Sequence, residues 1–400
     1  MQLNFQNKKA LVRVDFNVPL DKQYQITDDT RMRAAVPTIQ EILKQGGSVI
    51  LMSHLGRPIE KPNPDGSINK AKFTLRHLTA HLSELLGKNI QFAEDCVGES
   101  AQKMAAELRV GEILLLENTR FHEEEEKGNH EFAKKLASLG DLYVNDAFGT
   151  AHRAHASTTT VAHFFDKNHK CFGYLMDAEL ANAKRVLEQP ARPLLAIVGG
   201  AKVSDKILLL ERLMNLADKI IVGGGMAYTF MKAQGGHIGN SLCEDDRLEL
   251  ANELIIKAKE KGVEFLLPED SIVADGYSNE ANFTTADSKA VPDAWMALDI
   301  GEKACSAFRE AILSSKTILW NGPMGVFEMS NFANGTNTVA HAIADATSAG
   351  AFSLIGGGDS VAALQQSGLT DRVSYVSTGG GAMLEFLEGK VLPGVAAILE

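Results

Sequence analysis

The sequence predicts an α/β protein made of two doubly wound parallel-sheet lobes, Rossmann-like in form and joined by a hinge helix. Three observations predict it. Short apolar runs alternate with helix-like stretches along the whole chain, glycines or charged residues follow those runs directly, and a helix stopped by prolines lies near the middle. With 400 residues, 45% hydrophobic and 23% charged, the chain is long enough to bury two cores.

In the first half, Ala10–Val14, Ser48–Met52, Ile113–Leu116 and Leu142–Val144 are expected strands. Helices are expected in Arg31–Lys44, where Pro37 leaves the start open, in Leu75–Leu86 after a capping Thr74, and in His130–Leu139. Ligands of open parallel sheets gather at the carboxyl ends of the strands, so the residues that follow each strand carry the information. These are Arg13-Val-Asp-Phe-Asn17, Ser53-His-Leu-Gly-Arg57, Glu117-Asn-Thr-Arg120, and Asn145-Asp146 followed by His152-Arg153, with Arg31 at a helix start. One arginine alone reads as a solvated surface charge. Five at equivalent places describe a pocket for a small, multiply charged anion, because the planar guanidinium matches carboxylate and phosphate oxygens. The acidic run Glu123–Glu126 is expected to be a solvated loop, and Pro58–Ser67 a surface excursion.

The helical pattern from Met176 through Glu188 ends at Pro190 and Pro193, which places a first domain over residues 1–173, a hinge helix and linker over 174–192, and a second domain from 193. There the apolar run Leu194–Val198 stops at Gly199-Gly-Ala-Lys-Val-Ser-Asp-Lys206, with Ser204 expected to cap a helix through Leu216. Amides at a helix start beside a cation make a phosphate cradle, although one such corner equally suits plain strand-to-helix packing. The pattern recurs. Lys219–Val222 ends in Gly223-Gly-Gly225, Thr317–Trp320 in Asn321-Gly-Pro323, Ala351–Ile355 in Gly356-Gly-Gly-Asp-Ser360, and Ser374–Ser377 in Thr378-Gly-Gly-Gly381. Five such ends on one sheet edge describe a groove where backbone approaches a polyphosphate nucleotide.

Charge supports the division. Residues 1–190 hold 24 Lys+Arg against 25 Asp+Glu and nine of the 11 histidines, whereas residues 191–400 hold 16 against 26 and 24 of the 35 glycines. One half offers side-chain cations, the other bare amides. The net charge of −11 argues against nucleic acid as a partner. No leader pattern and no apolar run of membrane length is evident, so a cytoplasmic protein is expected. The scattered Cys96, Cys171, Cys243 and Cys305 argue against a zinc site or a disulfide framework. The chain lacks the P-loop pattern, and its nearest dinucleotide fingerprint, Gly223-Gly-Gly-Met-Ala-Tyr228, lacks the third glycine. Asp359 offers either a lone magnesium carboxylate or an N-cap for the helix Ser360–Gln366, and the two readings are compatible.

The motifs Arg13–Pro19, Ser53–Pro58, Glu117–His122, Val144–His155, Gly199–Lys206, Gly223–Met226, Trp320–Glu328, Gly356–Ser360 and Ser377–Ala382 together closely resemble the phosphoglycerate kinase family, over nearly all of the chain. The resemblance implies a bilobal kinase: a first lobe for 3-phosphoglycerate or 1,3-bisphosphoglycerate, a second lobe over 193–384 for ATP or ADP with Mg²⁺, and a tail over 385–400 returning to the first. It implies 3-phosphoglycerate contacts at Asp15, Asn17, Arg31, His54, Arg57, Arg120 and Arg153. It implies that Arg31 and Lys202 neutralise the moving phosphoryl group, helped by the amides of Gly379 and Gly380. Nucleotide contacts are implied at Gly200, Ala201, Lys202, Lys206, Gly223, Gly224, Asn321, Pro323, Glu328, Gly356, Gly357, Gly358, Asp359 and Ser360, with Asp359 ligating magnesium. Thr119 stands where the family more often has an aliphatic residue.

The family's acceptor is a carboxylate, ionised at neutral pH because its pKa is about 4, so no general base and no catalytic histidine are expected. In-line alignment, charge neutralisation and exclusion of water by closure of the lobes would do the work. A monomer is expected. Two rivals make different demands. A dehydrogenase would need the missing fingerprint, and a non-catalytic nucleotide binder would have lost Arg31, Lys202 or Asp359, all of which are present.

Overall fold

A computed structural model describes residues 3–400. The chain divides into two compact units, one formed by the chain through Leu180 together with Val391–Glu400, the other by Ala181–Lys390. The division falls inside the helix Tyr174–Leu187. The segment Gly381–Leu387 stays with the second unit as a helix, and the returning segment begins at Val391.

The first unit is built on strands β1 (Lys9–Val14), β2 (Ser48–Met52), β3 (Ile90–Phe92), β4 (Ile113–Leu115), β5 (Leu142–Asp146) and β6 (Lys170–Phe172), all parallel, in the order β3-β4-β2-β1-β5-β6. Both faces of this sheet are buried, as a parallel sheet requires. Leu11, Ile50, Leu114 and Tyr143 pack into one core, while Ala10, Val12, Val49, Leu115 and Val144 pack into another. Ala397 and Ile398 of the returning helix Pro393–Leu399 complete the first of these cores.

Several local expectations are corrected. Pro37 does not break its helix, which runs from Thr30 to Lys44. The expected helix Leu75–Leu86 begins as a 3₁₀ turn, Leu75–Leu78, capped by Thr74, and becomes α-helical over Thr79–Leu86. The acidic run Glu123–Glu126 is a helical turn and not a solvated loop, because Glu125 is fully buried and takes both the backbone N–H and the hydroxyl of Ser157.

The second unit has six parallel strands, β7 (Leu194–Val198), β8 (Lys219–Val222), β9 (Glu264–Leu266), β13 (Thr317–Asn321), β14 (Phe352–Gly356) and β15 (Tyr375–Val376), in the order β15-β14-β13-β7-β8-β9. A separate antiparallel sheet is formed by β10 (Asp270–Ala274), β11 (Phe283–Asp287) and β12 (Met296–Ile300), in the order β11-β10-β12. No sequence expectation covered it. Ser204 is not the predicted cap: its hydroxyl and amide bond to Glu244, and the helix starts later and ends sooner, at Ile207–Leu213. Asp359 is likewise not a cap, since the helix Gly358–Gln366 is entered through Gly357 at φ 87°, leaving Asp359 exposed in its first turn.

Candidate active site

In the first unit, Arg13 of β1 pairs in register with Met52 of β2 and Asn145 of β5, so the loops that follow these strands leave from one edge. The polar residues after β1 are fixed by their neighbours. Phe16 N donates to Ser53 Oγ at 2.8 Å, and Asn17 Oδ1 accepts from Gly56 N at 2.8 Å. Arg31 Nη1 donates to the Asn17 carbonyl oxygen at 3.0 Å and lies 3.4 Å from Asp15 Oδ2. Arg120, after β4, donates from Nη1 to the Gly56 carbonyl oxygen at 2.9 Å and holds Glu126 with Nε at 3.1 Å. Asn17 and Arg31 also line a cleft of about 370 Å³ with Val18, Pro19 and Asp28.

The predicted cations converge. Burial, then the charges of Arg13, Arg120 and Arg31, push the His54 imidazole well below its ordinary pKa. Burial, then Arg120, Arg13 and Arg153, push His155 down to about 3. Arg57 bears on Arg120 in the same way, while its own guanidinium meets Glu60 at the surface, 3.1 Å away. Both imidazoles are therefore neutral at pH 7, and the positive charge of the cluster belongs to guanidiniums. Arg31, Arg57 and Arg153 keep exposed or half-exposed faces, whereas Arg13 is fully buried.

In the second unit, the strand ends interlock backbone to backbone. Gly199 N donates to the Asn321 carbonyl oxygen at 2.9 Å, and a Cβ on Gly199 would overlap the Pro323 carbonyl oxygen. Gly224, at φ 69°, packs on Gly200, where a Cβ would come 2.7 Å from the Gly200 carbonyl oxygen. Lys206 Nζ donates to Asn321 Oδ1, and Ser360 Oγ accepts from Gly322 N. Burial pulls the Lys206 ammonium below its usual pKa, against the opposing charges of Glu388, Asp205 and Asp359. Asn321 Nδ2 is buried with no hydrogen-bond partner among the described residues.

Gly200, Ala201, Gly224, Pro323, Glu328 and Asp359 line one cavity of about 480 Å³. Its other wall, which the sequence reading missed, includes Tyr228, Leu242, Tyr277, Leu298, Met324 and Val326. These apolar and aromatic side chains make a slot for a flat heterocycle. Tyr228, three residues past the triple glycine, and Met324 and Val326, inside the motif Trp320–Glu328, carried a local signal; Leu242, Tyr277 and Leu298 carried none. Lys202, Lys206, Gly223, Asn321, Gly356, Gly357, Gly358 and Ser360 do not line this cavity. Lys202 is exposed on the loop that Glu244 tethers. Of the two amides expected at the last glycine run, that of Gly379 is taken within its own turn by Ser377 Oγ at 3.0 Å.

A magnesium ion fits the donors present: Asp359 puts an exposed carboxylate on the wall shared with the glycine loops, and magnesium needs one or two carboxylates besides phosphate and water. A different trio, Asp95, Cys96 and His122, has ligand atoms within 4.8 Å of one another. There Asp95 is satisfied by Gly98 N at 2.6 Å and His122 Nε2 at 2.7 Å, and burial keeps the Cys96 thiol protonated.

An arginine pocket on one parallel sheet and an amide-lined nucleotide slot on another define a two-lobed phosphotransferase. A family model described as phosphoglycerate kinase matches residues 1–390. The chain is 53% identical to the phosphoglycerate kinase of Porphyromonas gingivalis, covering 99% of each, and 53% identical to that of Chloroherpeton thalassium, covering 99% of this chain and 97% of the other. The solved structure of phosphoglycerate kinase from Coxiella burnetii superposes with a TM-score of 0.87 at 43% identity, covering 100% of this chain and 97% of that one. That from Pyrococcus horikoshii gives 0.80 at 32% identity, covering 99% and 97%. The chain belongs to the phosphoglycerate kinase family, which moves a phosphoryl group reversibly between ATP and the carboxylate of 3-phosphoglycerate.

Proposed function

We propose that the first unit binds 3-phosphoglycerate through Asp15, Asn17, Arg31, His54, Arg57, Arg120 and Arg153, and that the second binds ATP or ADP through its glycine loops, with Asn321 and Lys206 at the phosphates and Glu328 at the ribose. The interlocked set Asp15, Asn17, Arg31 and Gly56, beside buried His54 on which Arg13, Arg120 and Arg31 bear, carries this reading. A multiply charged anion is what such a set lacks.

Attack by an ionised carboxylate needs no base, so positioning and charge carry the reaction. Arg31 and Lys202 neutralise charge on the equatorial oxygens as the group passes, with the Gly380 amide as a further donor. Asp359 would hold magnesium, whose charge offsets that of the nucleotide phosphates. Acceptor and donor residues belong to different units, and direct transfer requires that competing water be excluded from both substrates. We further infer a monomer working in the cytoplasm. Among the described residues no helix is long and apolar enough to cross a membrane.

The test is ATP consumption by the purified protein with 3-phosphoglycerate, with and without EDTA. Turnover that requires both substrates and stops on chelation is expected. Turnover without 3-phosphoglycerate would overturn the substrate assignment, and turnover undiminished by EDTA would overturn the magnesium role given to Asp359.

A further inference from the structure

A chain of buried polar contacts runs beneath the first unit's pocket and ends on His54. Glu125 is fully buried, and both its oxygens are used by one residue, Ser157, whose N–H donates to Oε2 at 2.9 Å and whose hydroxyl donates to Oε1 at 2.5 Å. Ser157 Oγ then accepts from Arg13 Nε at 2.7 Å. Arg13, itself fully buried, reaches His54 Nδ1 with Nη2 at 3.2 Å. A buried guanidinium is costly unless a buried anion answers it, and here the anion answers through one serine hydroxyl.

Arginine can only donate, so the contact at 3.2 Å requires Nδ1 to be an acceptor. The proton of a neutral imidazole then sits on Nε2, which is the only donor the ring has left for an anion. We propose that Glu125 and Ser157 are positioning residues which, through Arg13, hold His54 as the tautomer with Nδ1 accepting and Nε2 carrying the proton. The inference rests on the reading of His54 as a 3-phosphoglycerate contact. Its chemical consequence is specific. An imidazolium would give the pocket a charge that changes with pH, whereas a neutral ring with its proton on Nε2 offers the bound anion one hydrogen bond of fixed direction.

The experiment is two-bond ¹H–¹⁵N correlation spectroscopy of the histidine side chains in the full-length protein at neutral pH, with His54 assigned by its loss in His54→Ala. The native protein should show His54 with a bare Nδ1 and a protonated Nε2. In Ser157→Ala that signature should move to mixed tautomers or to imidazolium, and KM for 3-phosphoglycerate should rise about tenfold with KM for ATP unchanged. Ser157→Thr, which keeps the hydroxyl, should restore both, and Glu125→Gln should shift both in the direction of Ser157→Ala. A native His54 that is charged or carries its proton on Nδ1 overturns the proposal, even if the serine variant fails to fold. So does an unchanged signature in folded Ser157→Ala. If His54→Ala binds 3-phosphoglycerate normally while the native tautomer is as described, the ligand role of His54 falls and the tautomer assignment stands.

Discussion

Arg31 Nη1 lies 3.4 Å from Asp15 Oδ2, which joins the first turn of one helix to the loop after β1. Arg31 is 36% exposed, so the ion pair itself stabilises little. Its value is orientation: together with the bond to the Asn17 carbonyl oxygen it aims a guanidinium before any substrate arrives. Arg31→Ala is expected to lower kcat by ~10²-fold or more, as for loss of one preorganised charge-stabilising group. Arg31→Lys should recover only part of this, because a point charge cannot grip two oxygens at once. Steady-state kinetics decide it, and near wild-type turnover in the alanine variant would remove Arg31 from the transfer step.

Lys206 and Asn321 make a second such pair, with Nζ of one on Oδ1 of the other and the amide Nδ2 left unpartnered among the described residues. Lys206→Met removes the cation and frees Asn321 to turn. KM for ATP should then rise about tenfold or more, with KM for 3-phosphoglycerate unchanged. A rise in the second constant and not the first would place Lys206 in the wrong subsite.

What the sequence revealed depended on how local the cause was. The ends of β1, β2, β7 and β8 were legible because an apolar run stops at a residue that has no reason to follow it, such as Asp15 or Gly199. Edge strands β3 and β6 have three residues each, too few for a period to show. The small antiparallel sheet was hidden because β11 is mostly exposed and reads as polar loop. Glu125 was lost among three identical neighbours, since only the fold decides which of four acids faces Ser157. Ser204 and Asp359 looked like caps by position, but Glu244, forty residues away, takes the hydroxyl of Ser204, and the helix of Asp359 starts one residue before it, after Gly357. The slot that Leu242, Tyr277 and Leu298 share with Val326 is assembled from distant segments, and no window of sequence contains it.

The glycine at the first nucleotide loop is needed for space. A Cβ at Gly199 would overlap the Pro323 carbonyl oxygen, and neither backbone can retreat while Gly199 N is bonded to the Asn321 carbonyl oxygen. Gly199→Ala is expected to destabilise the second unit by about 1–3 kcal/mol and to weaken ATP binding. Gly276→Ala is the control, since a Cβ there meets nothing within 4 Å. Urea unfolding and ATP titration of both variants check it, and equal behaviour of the two would show that the loops yield.

Asp146, at the end of β5, accepts from Leu175 N at 2.9 Å and Met176 N at 3.2 Å at the start of the helix Tyr174–Leu187. Burial nevertheless raises its carboxyl to about 7, against the pull of those amides, and burial raises Asp299 in the second unit to about 7 as well. In the unfolded chain each would titrate near its ordinary pKa of about 4. Between those values the folded state holds a proton that the unfolded state has lost, so the contribution to stability is complete below about pH 4 and disappears as pH rises through about 7. Asp146→Asn keeps an acceptor for the two amides and cannot ionise. Denaturant unfolding followed by circular dichroism should show wild-type stability falling across this range by an amount on the order of a few kcal/mol, with a shallower fall in the variant and the remainder due to Asp299. A variant that tracks the wild type at every pH would mean that Asp146 is already ionised in the fold, with its two amides outweighing burial.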